Sequence, residues 1–343
     1  MPHIDEQNVL HLLGETILPG EKKTIHFISS ALYTNTEVNV PVIISRAKKP
    51  GPTVLITAGI HGDELNAVEI VRQLISKKMN HPRAGTIICM PIVNIFGFLN
   101  MSRYFPDGRD LNRSFPGFKR GSLASKFAYQ FTHEILPIAD LCLDFHSGGA
   151  KRFNAAQIRL TKGSKQSLKF AKIFNAPFTL YSKTLAKSLR SICVNSGIPY
   201  LIFEGGMSGD NNKEIATQGL HGILRILDHL DMLKPKFVLD EPETNTIFIK
   251  TTSWVRAGYS GLIHNKIRVG QYVHKGAHIA SITDPYGSFR RRVRAPHDGF
   301  IINANLAPIV FEGDALFNIS KTLDHAKNDS ETKLQGKTYK VEL

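Results

Sequence analysis

Cysteine is almost missing from this chain: three residues in 343, Cys89, Cys142 and Cys193, none of them in a C-x-x-C pair. An odd, scattered count gives no disulfide framework, and the apolar run around each predicts reduced core thiols in a cytoplasmic protein. Gly-rich phosphate loops of the G-x-G-x-x-G and Walker types are missing too. Glycine (27) and proline (17) are too sparse for a fibrous or low-complexity chain, and 42% hydrophobic residues are too many for a disordered one. Long membrane-type runs are also lacking. The longest uncharged stretch, Ala84 to Ser102, carries Pro91, Asn94, Gly97 and Asn100, and reads as a buried strand, TIICMPIV, entering a loop. The opening segment, MPHIDEQNVLHLLGETILPG, has acidic residues where a signal peptide has a basic start. A soluble globular protein is the class that remains, with length enough for one large α/β domain and a small one.

Acidic residues are the scarcer sign, 29 Asp and Glu against 43 Lys and Arg, for a net charge of +14. Such an excess serves nucleic-acid or membrane binding, steering of an acidic substrate, or simply a basic solvated surface. The longest basic cluster, Arg290-Arg291-Arg292 with Arg294, is short, and aromatic residues are not interleaved with it. No nucleic-acid motif is present, so neither nucleic acid nor membrane is an expected partner.

What is there is strand–helix alternation. TIHFISSALY, VNVPVIIS and TVLITAGI alternate as strands within residues 24–60. ELNAVEIVRQLISKK then places Leu65, Val68, Val71 and Ile75 at helical spacing. Leu123, Phe127, Phe131 and Ile135 mark an amphipathic helix that Pro137 ends, followed by the strand LCLDFH. The alternation continues through QSLKFAKIFN, PFTLYS, a helix near 185–196, IPYLIFEGG and a closing helix over 214–233. The predicted fold is α/β, a mixed sheet flanked by helices, over residues 1–238. From 239 to 322, short β-like runs between Gly and Pro turns predict a smaller all-β, barrel-like domain, and 323–343 read as a polar tail. Trp254 and Tyr259 are read as core residues of this second domain.

The chemistry concentrates at strand ends. In Gly59-Ile60-His61-Gly62-Asp63-Glu64 a strand gives way to a helix, so His61 and Glu64 lie at the carboxyl edge of the sheet, where open α/β sheets bind ligands. An imidazole and a carboxylate three residues apart across such a turn suit a borderline cation such as Zn²⁺. A catalytic zinc site needs a third protein ligand, and His146, ending LCLDFH before a Gly turn, supplies it. Period-2 alternation puts Asp144 on the same face, where it orients a ligand or a water. H-x-x-E alone also arises by chance, and His133-Glu134 lacks the second His of H-E-x-x-H.

H-G-x-E at 61–64, SRYFPDGRDLNRSFPG at 102–117, D-F-H-S-G at 144–148 and IPYLIFEGG ending at 206 occur in order. Together they resemble the succinylglutamate desuccinylase/aspartoacylase family, relatives of the zinc carboxypeptidases. The resemblance implies that fold over about residues 25–320, one Zn²⁺ per chain, and His61, Glu64 and His146 as its ligands. It implies Asn112 and Arg113 as a clamp on a substrate carboxylate and Glu204 as the general acid/base. Arg103 sits where family members carry an arginine that polarises the scissile carbonyl. The spacing from Arg103 to Asp110 is a little longer than in aspartoacylases proper, so Arg109 competes for that role.

Arg113 can hold a carboxylate bidentately and Asn112 adds a neutral donor, although Asp110 and Arg113 could instead form a surface pair closing the loop. Glu204 follows the apolar run Ile198–Phe203, and apolar neighbours raise a carboxyl pKa toward that of a neutral-pH base. The expected activity is zinc-dependent removal of the acyl group from a small anionic N-acyl amino acid, with a metallocarboxypeptidase as the alternative. A nucleic-acid binder and a metal-free scaffold are the readings from other classes. IRVGQYVHKGAHIASI and RAPHDGFII resemble biotinyl/lipoyl-type hairpins without a lysine in the modified setting, so packing over the active-site mouth or support of a homo-oligomer is the expected role of that module.

Overall fold

The computed structural model describes residues 9–31, 34–239 and 245–323; of the polar tail read over 323–343, Leu323 ends the last strand and residues 324–343 lie outside the described residues. The chain opens with the hairpin β1 (Leu10–Leu12) and β2 (Glu15–Ile17), followed by β3 (Lys22–Ala31), β4 (Glu37–Arg46) and β5 (Thr53–Ala58). Helix α1 (Leu65–Ser76), β6 (Thr86–Met90), the short α2 (Ile95–Leu99) and α3 (Leu123–Gln130) come next. Then follow β7 (Leu141–Gly148), β8 (Arg152–Leu160), α4 (Lys165–Phe174), β9 (Phe178–Tyr181), α5 (Leu189–Asn195), β10 (Tyr200–Met207) and α6 (Lys213–His229). The remaining chain is all strand: β11 (Ile247–Arg256), β12 (Gly261–Asn265), β13 (Tyr272–Val273), β14 (His278–Thr283), β15 (Arg290–Arg294), β16 (Gly299–Asn305), β17 (Ile309–Val310) and β18 (Ala315–Leu323).

A mixed sheet of twelve strands, ordered β13-β16-β18-β11-β9-β8-β10-β7-β5-β6-β4-β3, runs through the molecule. Its centre, β6-β5-β7-β10, is parallel. Strict alternation along these strands separates two cores. Val54, Ile56, Leu143, Phe145, Leu201 and Phe203 point to the side covered by α1, α4 and α6. Leu55, Cys142, Tyr200 and Ile202 point to the side covered by α3 and α5. Helix α1 buries Ala67, Ile70, Val71 and Leu74, so that Val71 of the expected face is fully buried while Leu65, Val68 and Ile75 are half-buried and the stripe is turned toward Ala67 and Ile70. The rotation lets Ile70 meet the bare Gly219 of α6, where a Cβ would come 2.4 Å from Ile70 Cδ1. The run expected as one helix over 123–135 is α3 followed by a wider turn at Phe131–Ile135, and Pro137 prevents regular continuation.

The C-terminal strands divide between two sheets, β11, β13, β16 and β18 joining the large one. Strand β11 pairs parallel with β9, and β16 returns to pair with β8, so that β8, β9, β11, β18 and β16 make a closed ring of five. Strands β15, β14, β12 and β17 form a separate four-stranded sheet. Its edge strand β15 carries Arg290, Arg291, Arg292 and Arg294, all exposed, with Arg291 lying over the Tyr259 ring. Cations on an edge strand discourage pairing with a foreign strand. Among the described residues no helix is long and apolar enough to cross a membrane. All three cysteines are free and buried, as the sequence implies.

Candidate active site

Strand β5 ends at Ala58, and the turn that follows delivers His61 and Glu64 before α1 begins. This turn is pressed against the backbone of α2: a Cβ on Gly62 would lie 1.9 Å from the Gly97 carbonyl carbon, and the Gly62 N–H donates to Ser102 O at 3.0 Å. Only glycine fits between the two side chains that flank it. On β7 and β10 the alternation that sends Cys142 and Tyr200 to one face continues to Asp144 and His146, and to Glu204. The parallel register sets Glu204 beside His146 and Ile202 beside Asp144.

Glu64 lies between the two imidazoles. Its Oε1 is 2.7 Å from His61 Nδ1 and its Oε2 is 2.9 Å from His146 Nδ1. All three residues are at most 3% exposed, and one ligand atom from each lies within 4.8 Å of the others. Each imidazole meets a second carboxylate through its far nitrogen: His61 Nε2 reaches Asp110 at 3.2 Å and His146 Nε2 reaches Asp144 at 2.9 Å. Asp144 is held in turn by Thr57 Oγ1, donating at 2.7 Å, and by the Tyr200 hydroxyl. Two nitrogen donors and a carboxylate, buried, convergent and oriented from behind by carboxylates, fit a divalent metal of zinc's preferences.

The electrostatics are those of a self-compensating cluster. Burial pushes the Glu64 carboxyl up, but the imidazoles of His61 and His146 outweigh it and hold the group below the usual carboxylate range. Burial likewise opposes charge on His146, and Asp144 and Glu64 overcome it, so this imidazole lies well above its ordinary value. Asp110 is lowered against its burial by His61 and Arg103.

The loop over 102–117 divides its arginines. Arg103 donates to Asp110 Oδ2 at 2.9 Å through one terminal nitrogen and comes within 3.5 Å of Glu64 Oε1 through the other. Arg109 points away, more than half exposed and 3.7 Å from Asp107. Asp110 therefore pairs with Arg103 and His61, not with Arg113 as the surface-pair alternative has it. Asn112 is buried, and its side-chain oxygen accepts from the Leu189 N–H at 2.9 Å, leaving its NH₂ toward the cavity. Arg113 lies next to it on the wall.

These groups open on a cavity of about 640 Å³. One wall is β8, a strand that the sequence reading passes over. Opposite β10, Glu204 pairs with Gln157 and Gly206 with Asn154, so that Gly205 alone faces the two residues Ala155 and Ala156. This bulge shifts the alternation, so Arg152, Asn154, Gln157 and Arg159 all line the cavity while Ala155 and Ala156 are buried. Glu204 accepts from Asn154 Nδ2 at 2.8 Å and lies 3.3 Å from an Arg159 nitrogen. Polar partners thus replace the apolar surroundings expected for it from Ile198–Phe203. Both amide atoms of Gln157 are buried without a protein partner. Arg190, another residue the sequence reading passes over, is anchored to Ser182 Oγ at 2.9 Å and to Lys183 O.

The far wall comes from the C-terminal strands, through Lys250, Thr252 and Trp254 of β11, Asn303 of β16 and Asn318 of β18. The expectation that Trp254 and Tyr259 are core residues does not hold. Trp254 is 41% exposed on the cavity wall, and Tyr259 is 49% exposed beneath Arg291.

Residues 50–230 match the succinylglutamate desuccinylase/aspartoacylase catalytic domain. The chain belongs to the succinylglutamate desuccinylase/aspartoacylase family. An N-alpha-acetyl-L-2,4-diaminobutyric acid deacetylase of Halomonas elongata is 30% identical over 298 residues, 84% of this chain and 87% of that protein. Among solved structures, a succinylglutamate desuccinylase of Silicibacter sp. TM1040 superposes with a TM-score of 0.76 at 21% identity, covering 88% of this chain and 95% of its own. The product-bound ectoine utilization protein EutE (DoeB) of Ruegeria pomeroyi gives 0.75 at 24% identity, covering 93% and 100%. These two likenesses concern the fold. The family match reaches from just before β5 to the end of α6, and so contains His61, Glu64, Arg103, Asn112, Arg113, His146 and Glu204. Strands β11, β16 and β18, which contribute the far wall of the cavity, follow it.

Proposed function

We propose that the protein is a zinc-dependent amidohydrolase that removes the acyl group from a small, anionic N-acyl amino acid. The observation that carries this reading is the placement of Glu204 beside the buried His61–Glu64–His146 cluster, within a cavity where cationic side chains outnumber anionic ones. Arg103, Arg113, Arg152, Arg159, Arg190 and Lys250 face Glu64 and Glu204 there, a balance that attracts and orients a carboxylate. The deacetylase of Halomonas elongata, by its name, acts on an N-acetyl amino acid, which is the same bond class.

His61, Glu64 and His146 would hold the metal, which supplies Lewis acidity and an acidified water at neutral pH. Asn112 and Arg113 grip the substrate α-carboxylate, the guanidinium bidentately and the amide through its free NH₂. That grip places the scissile amide toward Arg103, whose guanidinium stabilises negative charge developing on the carbonyl oxygen. Glu204 takes the proton from the attacking water and returns it to the amine nitrogen as the C–N bond breaks, so one carboxylate acts first as base and then as acid. The cavity is of small-molecule size and is closed on one side by β11, β16 and β18, which favours an acyl amino acid over the C-terminus of a peptide.

Hydrolysis of N-acetyl- and N-succinyl-L-amino acids and of short peptides, by zinc-loaded and metal-stripped protein, tests the reading. Turnover of acyl amino acids only by the loaded form is expected. Turnover of peptides alone, or hydrolysis indifferent to metal, overturns it. Glu204→Gln is expected to keep stoichiometric zinc while losing turnover.

A further inference from the structure

We propose that Asn303, contributed by the C-terminal strand β16, is a positioning residue that sets the orientation of Glu204 through Asn154. The inference rests on the reading of Glu204 as the acid/base.

The geometry is a directed chain of two hydrogen bonds. Asn303 Nδ2 donates to Asn154 Oδ1 at 2.7 Å, and Asn154 Nδ2 donates to Glu204 Oε2 at 2.8 Å. The direction follows from the last member, because an ionised carboxylate only accepts. Asn154 must therefore turn its NH₂ to Glu204 and its oxygen to Asn303, and Asn303 must answer with its own NH₂. Asn154 and Asn303 are 2% and 5% exposed, so both bonds are largely shielded from solvent. They are directly paired across β8 and β16, the pairing that closes the five-stranded ring. Asn154 faces the cavity only because of the bulge in β8.

Loss of the Asn303 donor leaves Asn154 without the partner that fixes its amide. A half-turn of that amide would set its oxygen against the Glu204 carboxylate, an acceptor facing an acceptor. Arg159 still reaches Glu204 from the other side, so the acid/base is displaced but not lost. The effect expected is on the order of 10-fold, the scale on which partners behind an active-site group act.

The test uses Asn303→Asp, which keeps the shape but cannot donate when ionised, with Asn303→Ala as a second variant. The substrate is whichever N-acetyl or N-succinyl amino acid the unaltered protein hydrolyses fastest. Expected are a fall in kcat of about 10-fold, with KM, zinc content and melting temperature close to those of the unaltered protein. In an Asn154→Ala background, Asn303→Asp should cost nothing more. An equal loss in both backgrounds, or a loss carried by KM or zinc content, overturns the proposal. Hydrogen exchange of the Asn154 side-chain amide, followed by NMR in labelled protein, reads the same chain without substrate. Slow exchange in the unaltered protein that becomes fast in Asn303→Ala, which offers the turned amide no acceptor, is expected, and unchanged exchange sinks the idea. Absence of turnover by the unaltered protein would instead overturn the reading of Glu204, an outcome the exchange experiment keeps distinct.

Discussion

Glu204 and His146 are neighbours across the parallel pairing of β10 and β7, so the proposed acid/base and a proposed metal ligand are set side by side by backbone hydrogen bonds. Few arrangements hold two side chains at a fixed separation more firmly than adjacent positions in a central sheet. Changes at this site should therefore act through the groups that orient the two residues, without moving the backbone.

Thr57→Val keeps the shape of a fully buried side chain and removes the hydroxyl that donates to Asp144 at 2.7 Å. The expected cost is about 1–3 kcal/mol of stability, because a buried carboxylate oxygen loses its donor. Zinc affinity should weaken about 10-fold or more, since Asp144 orients His146. Denaturant titration and competition with a chromogenic chelator measure the two effects.

Arg103 and Arg109 are separable by kinetics. Arg103→Ala should lower kcat about 100-fold, the usual scale for removing a donor to a developing oxyanion. Arg109→Ala, which breaks only an exposed contact with Asp107, should change kcat/KM by no more than about twofold. The opposite ranking would move the carbonyl-polarising role to Arg109.

Gly62→Ala forces a methyl group into the Gly97 backbone. A loss of about 1–3 kcal/mol is expected from overpacking, together with reduced zinc content because His61 and Glu64 flank the displaced residue. Urea unfolding and metal analysis of the purified variant check both.

The thiols should be silent. Burial pushes Cys89 up to about 12, and Cys142 is raised by its hydrogen bond with Cys193 and by burial. The raised pKa of Cys89 and Cys142 leaves them almost no thiolate at pH 8, and burial shields all three thiols, so a colorimetric thiol reagent should find no fast-reacting cysteine in the folded protein and three in guanidinium. Fast reaction of Cys89 or Cys142 before unfolding would contradict their burial.

What could be read from the sequence was whatever is local. The H-G-x-E turn, the alternation that puts Asp144 with His146, and the Asn112-Arg113 pair each declare themselves within a few residues, because the spacing is the geometry. Strand β8 is different. RFNAAQIRL carries two asparagine or glutamine residues, two arginines and a central Ala-Ala, a weak strand pattern, and its bulge breaks the period that would reveal it. Arg190 reaches the cavity from α5, and Trp254 from a strand far along the chain. Neither position has a local signal, since a residue joins a wall only through the partners the fold brings to it. Asp110 is the intermediate case: the charge is visible, but its partners His61 and Arg103 are known only once the loop is folded back over the turn.

The five-stranded ring also imposes an order in time. The Asn154–Asn303 bond joins positions 149 residues apart, a closure that local contacts cannot hasten. A nascent chain that has emerged only to the end of α6 already carries His61, Glu64, His146 and Glu204, yet lacks the strands that wall the cavity and the amide that steadies Glu204. The proposed metal ligands are thus encoded early in synthesis and the far wall of the cavity late. The interval between them is set by the ribosome's passage through β11 to β18.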